Sequence, residues 1–188
     1  MNPKLLLLSL LVAFLTLMAA GSTLASSSSS TQRQSTAKAT SPKPVRKATR
    51  RVNPVLVRRL RRTVWHWQAV MGKRRTTVKT SLRTVSALRY WRRQARSVAR
   101  AASRPPHKAG WLCIHRYEGG WRDSDDPYWG GLQMDRGFMS TYAPGVLLRR
   151  GWADRWTALE QMWVAERAHR SGRGYWPWPN TARFCGLI

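Results

Sequence analysis

Apolar positions along the chain change spacing several times, and each change marks a segment. Leu5 to Ala20 is an apolar run interrupted only by Ser9 and Thr16, preceded by Met1 to Lys4 with a single positive charge. Thr23-Leu24-Ala25 then fits the small-x-small pattern of leader cleavage before Ser26. The run is short for a membrane span, so residues 1–25 read as a signal peptide and the mature protein as secreted or held at the cell envelope. Ser26 to Arg51 has almost nothing to bury and is rich in Ser, Thr, Lys, Arg and Pro. That composition predicts a disordered basic linker over 26–52.

A three-and-four spacing begins after Asn53-Pro54, which supply a helix cap and a proline for the first turn. Val57, Leu60, Val64, Trp67 and Met71 share one helix face, and Gly72 ends the pattern. A second stretch, Val78, Leu82, Val85, Leu88, Trp91, Ala95, Val98 and Ala102, stops at Pro105-Pro106. Residues 53–105 therefore read as a basic amphipathic helical hairpin. Its narrow apolar stripes suit packing on each other, on the rest of the chain, or on a membrane surface. A solvated charged spacer is the plainer alternative.

From 106 to 188 the texture is that of an ordinary domain, with eight of the eleven tryptophans. Ala109 to Glu118 predicts a short helix with Trp111, Cys113 and Ile114 toward a core, ended by Gly119-Gly120 through glycine's tolerance of positive φ. Asp123 to Pro127 is turn-forming, and Tyr128 to Met134 reads as a small hairpin broken by Gly130-Gly131. Thr157-Ala-Leu-Glu160 matches a capping box, opening a helix to about Ser171. The fold class expected is α+β, mainly helical, with one small β-hairpin.

Charge sharpens the division. Residues 26–106 hold 22 of the 34 Lys and Arg and no acid, whereas all eight acids lie at Glu118 or later. A field of that strength favours polyanions. In an exported protein these are anionic envelope polymers or lipid, engaged through residues 26–105; nucleic acid is not expected. The cysteines, Cys113 and Cys185, fit one disulfide in an oxidising compartment. His66, His107, His115 and His169 show no ligand spacing, so neither a metal site nor a cofactor is expected.

Trp111-Leu-Cys-Ile-His-Arg-Tyr-Glu-Gly-Gly-Trp121, followed by Pro127-Tyr-Trp-Gly-Gly-Leu-Gln133, resembles the catalytic domain of the resuscitation-promoting factors. These are secreted actinobacterial wall hydrolases of the transglycosylase-like, lysozyme-related superfamily. Leu159-Glu-Gln-Met-Trp-Val-Ala-Glu-Arg-Ala168 and Gly174-Tyr-Trp-Pro177 fit the family's last helix and Trp-Pro element, in order. The resemblance implies a lysozyme-like transglycosylase domain over 106–188, cleaving the β-1,4 bond between MurNAc and GlcNAc in peptidoglycan glycan strands. It carries the catalytic glutamate onto Glu118 and places Tyr128 and Gln133 along the sugar cleft. Three departures stand out. Tyr117 occupies the position where the family often has a cysteine, with Cys113 one turn earlier. Cys185 lies several residues beyond Trp176-Pro-Trp-Pro179. Phe138 stands where better-known members carry threonine.

Residue chemistry agrees with the resemblance at Glu118. Expelling a sugar alkoxide requires a proton on the leaving oxygen, and a carboxylic acid shielded by aromatics is suited to deliver it. An ion pair with Arg116 or Arg122 is the structural alternative. Trp121, Trp129 and Trp178 have apolar ring faces suited to stacking on sugars, although most tryptophans in so small a domain must build its core. Gln133 suits amide donation to an N-acetyl carbonyl. Asp123, Asp125, Asp126 and Asp135 are candidates for a second carboxylate, but nothing around them resembles a nucleophile. One glutamate acting as acid and then base yields a 1,6-anhydro product by lytic transglycosylation; an activated water gives muramidase hydrolysis. The competing classes are a non-catalytic peptidoglycan-binding protein and a cationic membrane-active protein that works through residues 53–104.

Overall fold

The computed structural model describes residues 52–79 and 81–188. The signal peptide read at 1–25 and the linker read at 26–52 lie outside these residues, except for Val52. None of the helices described is long and apolar enough to cross a membrane.

The first helix forms as its pattern predicts. Asn53 accepts a hydrogen bond from the Val55 amide at 2.8 Å, and Pro54 opens α1 (Pro54–Val70). Val57, Val64 and Val70 are fully buried, while Arg58, Arg59 and Arg62 face solvent. Gly72, at φ +67°, turns the chain out of the helix.

The second helix begins later than its periodicity suggests. α2 (Val85–Ala102) starts at Thr84, whose hydroxyl accepts from the Ala87 amide at 3.1 Å, so Val78 and Leu82 precede it. The segment between the helices is claimed by α1 instead. Trp65 donates its indole N–H to the Thr76 carbonyl at 2.9 Å. The Gln68 side-chain amide pairs with both the Thr76 hydroxyl and the Thr76 backbone N–H. Hydrogen bonds to the backbone of 73–79 thus outcompete continuation of a helix that only hydrophobic spacing suggested.

Ala87, Trp91, Val98 and Ala102 turn inward along α2, and Trp91 meets Trp65 edge-on at 6.2 Å. The pair does not stand apart from the C-terminal segment: the described residues belong to one compact unit. At its centre is α6 (Ala158–Ala168), buried at eight of its eleven positions. Three of the buried residues, Glu160, Gln161 and Glu166, are polar, and each is hydrogen-bonded to a neighbouring part of the chain, as burial requires. Thr157 and Glu160 form the expected capping box, and a π-turn over His169–Arg173, with Gly172 at φ +94°, ends the run. Trp163 on α6 donates to the Ala102 carbonyl at the end of α2, at 2.8 Å. Arg167 and Arg170 donate to the carbonyls of Ala69 and Met71, filling acceptors that the end of α1 leaves open. The apolar stripes of the basic hairpin are therefore mostly taken up by packing within the described residues, although Val78 and Val85 stay exposed.

Around α6 lie α3 (Lys108–Glu118), α4 (Arg136–Tyr142), α5 (Gly145–Leu148) and α7 (Pro179–Phe184), with a 3₁₀ turn at Ala153–Arg155. The fold is mainly helical. The β-hairpin expected at 128–134 is absent: the described residues contain a single antiparallel bridge, Trp129 with Met134, and no strand. Gly130 and Gln133 take left-handed conformations (φ +73° and +45°) that close the turn between the bridged residues. Pairing cannot extend outward, because the Tyr128 amide bonds back to Asp125 and Asp135 is committed to capping α4.

A disulfide joins Cys113 of α3 to Cys185, directly after α7, with Cα atoms 6.0 Å apart. Closing a loop of 72 residues removes unfolded-chain entropy worth about 4 kcal/mol. Its local effect is to clamp α7 against α3.

Candidate active site

Glu118 is the last residue of α3, half-buried, with its carboxylate at a cleft of about 370 Å³. The cleft is lined by Glu118, Tyr128 and Gln133 on one side and by Pro177 to Asn180 on the other. The Thr181 hydroxyl, on α7, donates to Glu118 Oε1 at 2.6 Å. Neither Arg116 nor Arg122 pairs with the carboxylate; Arg122 donates instead to the Asp154 carbonyl at 3.2 Å. Oε1 is thus fixed by one neutral donor, and Oε2 has no protein partner among the described residues.

The helix end is shaped by crowding. Gly119 is extended (φ 161°), not left-handed, so the predicted reason for glycine there is wrong. A Cβ at Gly119 would meet Gln133 Nε2 at 2.8 Å and Asp123 Oδ2 at 2.9 Å, whereas one at Gly120 would meet open space. Close approach is also why Gly131 is glycine: a side chain there would strike His115 and Trp121 at 2.6 and 2.7 Å. With no Cβ in the way, the 128–134 turn presses onto α3 and its Gly131 carbonyl contacts His115 Nδ1 at 3.1 Å.

Gln133 lies in the cleft wall but not in its expected role. Its amide nitrogen donates to Asp123 Oδ2 at 2.7 Å and to the Gly130 carbonyl at 3.1 Å. Both N–H groups are spent on holding the turn, so Gln133 offers the cleft an acceptor rather than a donor. Tyr128 lines the cleft and is exposed. Trp129 and Trp121 are not lining residues. Trp129 is buried against Trp152, with the Arg136 guanidinium over its ring at 5.1 Å. Trp121 stacks on His115 at 3.9 Å, and its carbonyl accepts from the buried Gln161.

Trp178 does reach the cleft. Its indole N–H donates to the Leu132 carbonyl at 2.6 Å, while its ring packs on Trp111 and Phe138. It is 5% exposed and so serves as floor more than as platform. Asn180 and Thr181 escape sequence reading, since neither belongs to an apolar pattern. The available signal is the proline of Trp178-Pro179, which opens α7 and sets Thr181 on its first turn.

Six of the seven remaining carboxylates have other partners, and that of Asp125 has none among the described residues. Asp123 holds Gln133, the Asp125 amide turns back on Asp123, Asp126 pairs with Arg136 at 3.0 Å, and Asp135 caps α4. Asp154 pairs with Arg155 at 3.8 Å. Glu160 and Glu166 are buried in α6; Glu166 accepts from the His107 amide and ring and from the Trp111 indole. Glu118 is the only carboxylate among the cleft-lining residues. Among the described residues, no cluster of three His, Cys, Asp or Glu is arranged to hold a metal ion. No family model, curated protein or solved structure matches this chain.

Proposed function

We propose that this protein is a secreted peptidoglycan-cleaving enzyme with a lysozyme-like catalytic domain, in which Glu118 acts as general acid and then as general base. The observation that carries the reading is a lone glutamate at a helix end, opening on a cleft with no second carboxylate in its lining. Its resemblance to the resuscitation-promoting factors around Trp111–Trp121 and Pro127–Gln133 points the same way.

In this mechanism the glycan lies along the wall made by Tyr128, Gln133 and the Pro177–Asn180 segment. Glu118 Oε2 gives its proton to the glycosidic oxygen as the C1–O4 bond of the muramyl residue breaks. The carboxylate then takes the proton of the muramyl 6-hydroxyl while O6 bonds to C1. The products are a 1,6-anhydro muramyl end and a free GlcNAc 4-hydroxyl; no water is consumed. Thr181, by holding Oε1, turns Oε2 toward the substrate. With no second carboxylate at hand to stabilise an oxocarbenium ion or activate water, the intramolecular route is favoured over hydrolysis. The strongly basic residues before the domain would concentrate the enzyme on an anionic envelope, raising the local concentration of its substrate.

Purified peptidoglycan treated with wild type and with Glu118→Gln, with product masses read out, tests the reading. Wild type should release anhydro-muropeptides, and the variant should release them at least about a hundredfold more slowly. Release that survives the substitution would refute the catalytic assignment. Products of hydrated mass would refute the transglycosylase route. Wall binding without release would leave a binding protein.

A further inference from the structure

A second cavity, of about 530 Å³, opens where α1, the segment after it and the end of α5 meet. Arg62, Lys73, Arg75 and Arg149 line it together with Trp65 and His66. None of these four cations takes part in an ion pair among the described residues. Glu160, which bonds the lining His66, has both oxygens engaged by His66, Arg150 and the Thr157 amide.

Such a gathering of like charge does not arise from a loose loop. Thr76 is pinned to α1 by Trp65 and Gln68, which holds in place the backbone of the segment that carries Lys73 and Arg75 just before it. The Arg75 guanidinium sits 3.3 Å from the centre of the Trp65 ring, a cation–π contact that holds its side chain in place. Four exposed cations around one hollow repel one another, and no carboxylate pairs with any of them among the described residues.

We propose that this cavity binds the phosphate groups of an anionic envelope polymer. A single carboxylate would leave most of the charge unbalanced, whereas a phosphate-bearing chain brings several charges into a small space. Guanidinium forks match phosphate oxygens two at a time, and three of the four cations are arginines. The volume falls in the ordinary range for small-ligand sites, roughly 300–1,000 Å³, with room for a polyol phosphate unit beyond the phosphate itself. A concave site also suits a chain segment better than the plane of a membrane. The proposal refines the envelope-binding part of the reading above. It shares no lining residue with the Glu118 cleft, so either can fail alone.

The test titrates the full chain with a soluble glycerol-phosphate oligomer at about 0.15 M salt, where long-range attraction is largely screened. Arg62→Gln/Arg75→Gln/Arg149→Gln is compared with Arg92→Gln/Arg93→Gln/Arg96→Gln, which removes equal charge from the exposed side of α2. The cavity variant should lose at least about tenfold in affinity and the control less than about twofold, because only local contacts survive screening. On peptidoglycan stripped of its anionic polymers, where this site has nothing to bind, both should release muropeptides as wild type does. Equal losses would overturn the site in favour of diffuse attraction. Equal affinity for polygalacturonate would overturn the phosphate class, and binding to phosphatidylglycerol vesicles but not to the oligomer would overturn the polymer source. Should the triple variant not fold, Arg149→Gln alone, on an exposed residue, should still weaken binding about threefold; an unchanged affinity would overturn the proposal.

Discussion

Glu160 joins three parts of the chain at one carboxylate, and its replacement by glutamine should be costly in a pH-dependent way. The residue is 3% exposed. Oε1 accepts from Arg150 Nη1 at 2.6 Å and from His66 Nε2 at 2.7 Å, and Oε2 from the Thr157 amide at 2.7 Å. Burial alone pushes this carboxyl up. Hydrogen bonds from His66, Arg150 and Thr157, with the Arg150 charge, outweigh burial and bring it from 4.5 down to about 2. At about 1.4 kcal/mol per pH unit, such a depression corresponds to roughly 3 kcal/mol. Arg150 is 40% exposed, so solvent screening reduces this to about 2 kcal/mol. The folded value is depressed, so the contribution is complete above pH 4.5 and fades as pH falls toward 2. Glu160→Gln keeps the shape but removes the charge and faces one donor with another. Melting curves at pH 7 should show a fall of about 6–8 °C for a domain of this size. The gap between wild type and variant should narrow steadily below pH 4.5. A variant within about 1 °C of wild type at pH 7, or a gap that persists undiminished to pH 2.5, would refute the reasoning.

Gly119→Ala should strain the Gln133–Asp123 pair that its Cβ would strike, costing about 1–2 kcal/mol and slowing wall cleavage, whereas Gly120→Ala should be nearly neutral. Thermal melts and muropeptide release on the two variants distinguish crowding from a general need for glycine after the helix. Thr181→Val removes the donor to Glu118 Oε1 while keeping the shape; kcat should fall about tenfold with KM little changed, a split that steady-state kinetics on a soluble glycan would show. Cys113→Ser/Cys185→Ser should lower stability by about 4 kcal/mol, read by denaturant titration of the variant against the oxidised protein.

Legibility in the sequence followed the range of the interactions involved. α1 and α6 were readable at their starts, because Asn53 and the Thr157–Glu160 box act within three residues of themselves. The start of α2 was not, since what ends the competing pattern is Thr76 bonded to Trp65 and Gln68, eleven and eight residues back. Periodicity picked out Val57, Val64, Trp91, Val98 and Ala102 as buried, misplaced Val78 and Val85, missed Val70 and Ala87, and left the cover of these faces open. The cover is α6, reached through Trp163, Arg167 and Arg170, and no local pattern encodes that pairing. The hairpin was misread for a related reason. Aromatic alternation around two glycines is shared by a strand pair and a tight turn, and the left-handed Gln133 that decides between them is not a residue type that announces it.

The site divides along the same line. That Glu118 ends a helix was legible because Ala109–Glu118 and the two glycines after it are contiguous, and the cysteine pair indicated which part of the chain would be that helix's partner. What that partner supplies, the Thr181 hydroxyl, depends on α7 being clamped on α3 by Cys113–Cys185, a contact over more than sixty residues. The two tryptophans expected in the cleft are drawn away by stronger claims: Trp129 by burial against Trp152, and Trp121 by stacking on His115. Aromatic residues in a domain this rich in tryptophan are first of all core; Trp178 reaches the cleft only as its floor, and Tyr128, with a polar tip that tolerates water, stays exposed at its edge. The census of acids carries the argument furthest. Of the other seven carboxylates, six hold a turn, cap a helix, pair with a cation or are buried in α6, that of Asp125 has no partner among the described residues, and Glu118 alone lines the cleft. The proposed capture of C1 by the substrate's own 6-hydroxyl rests on that solitude, because it is the route that needs no second carboxylate.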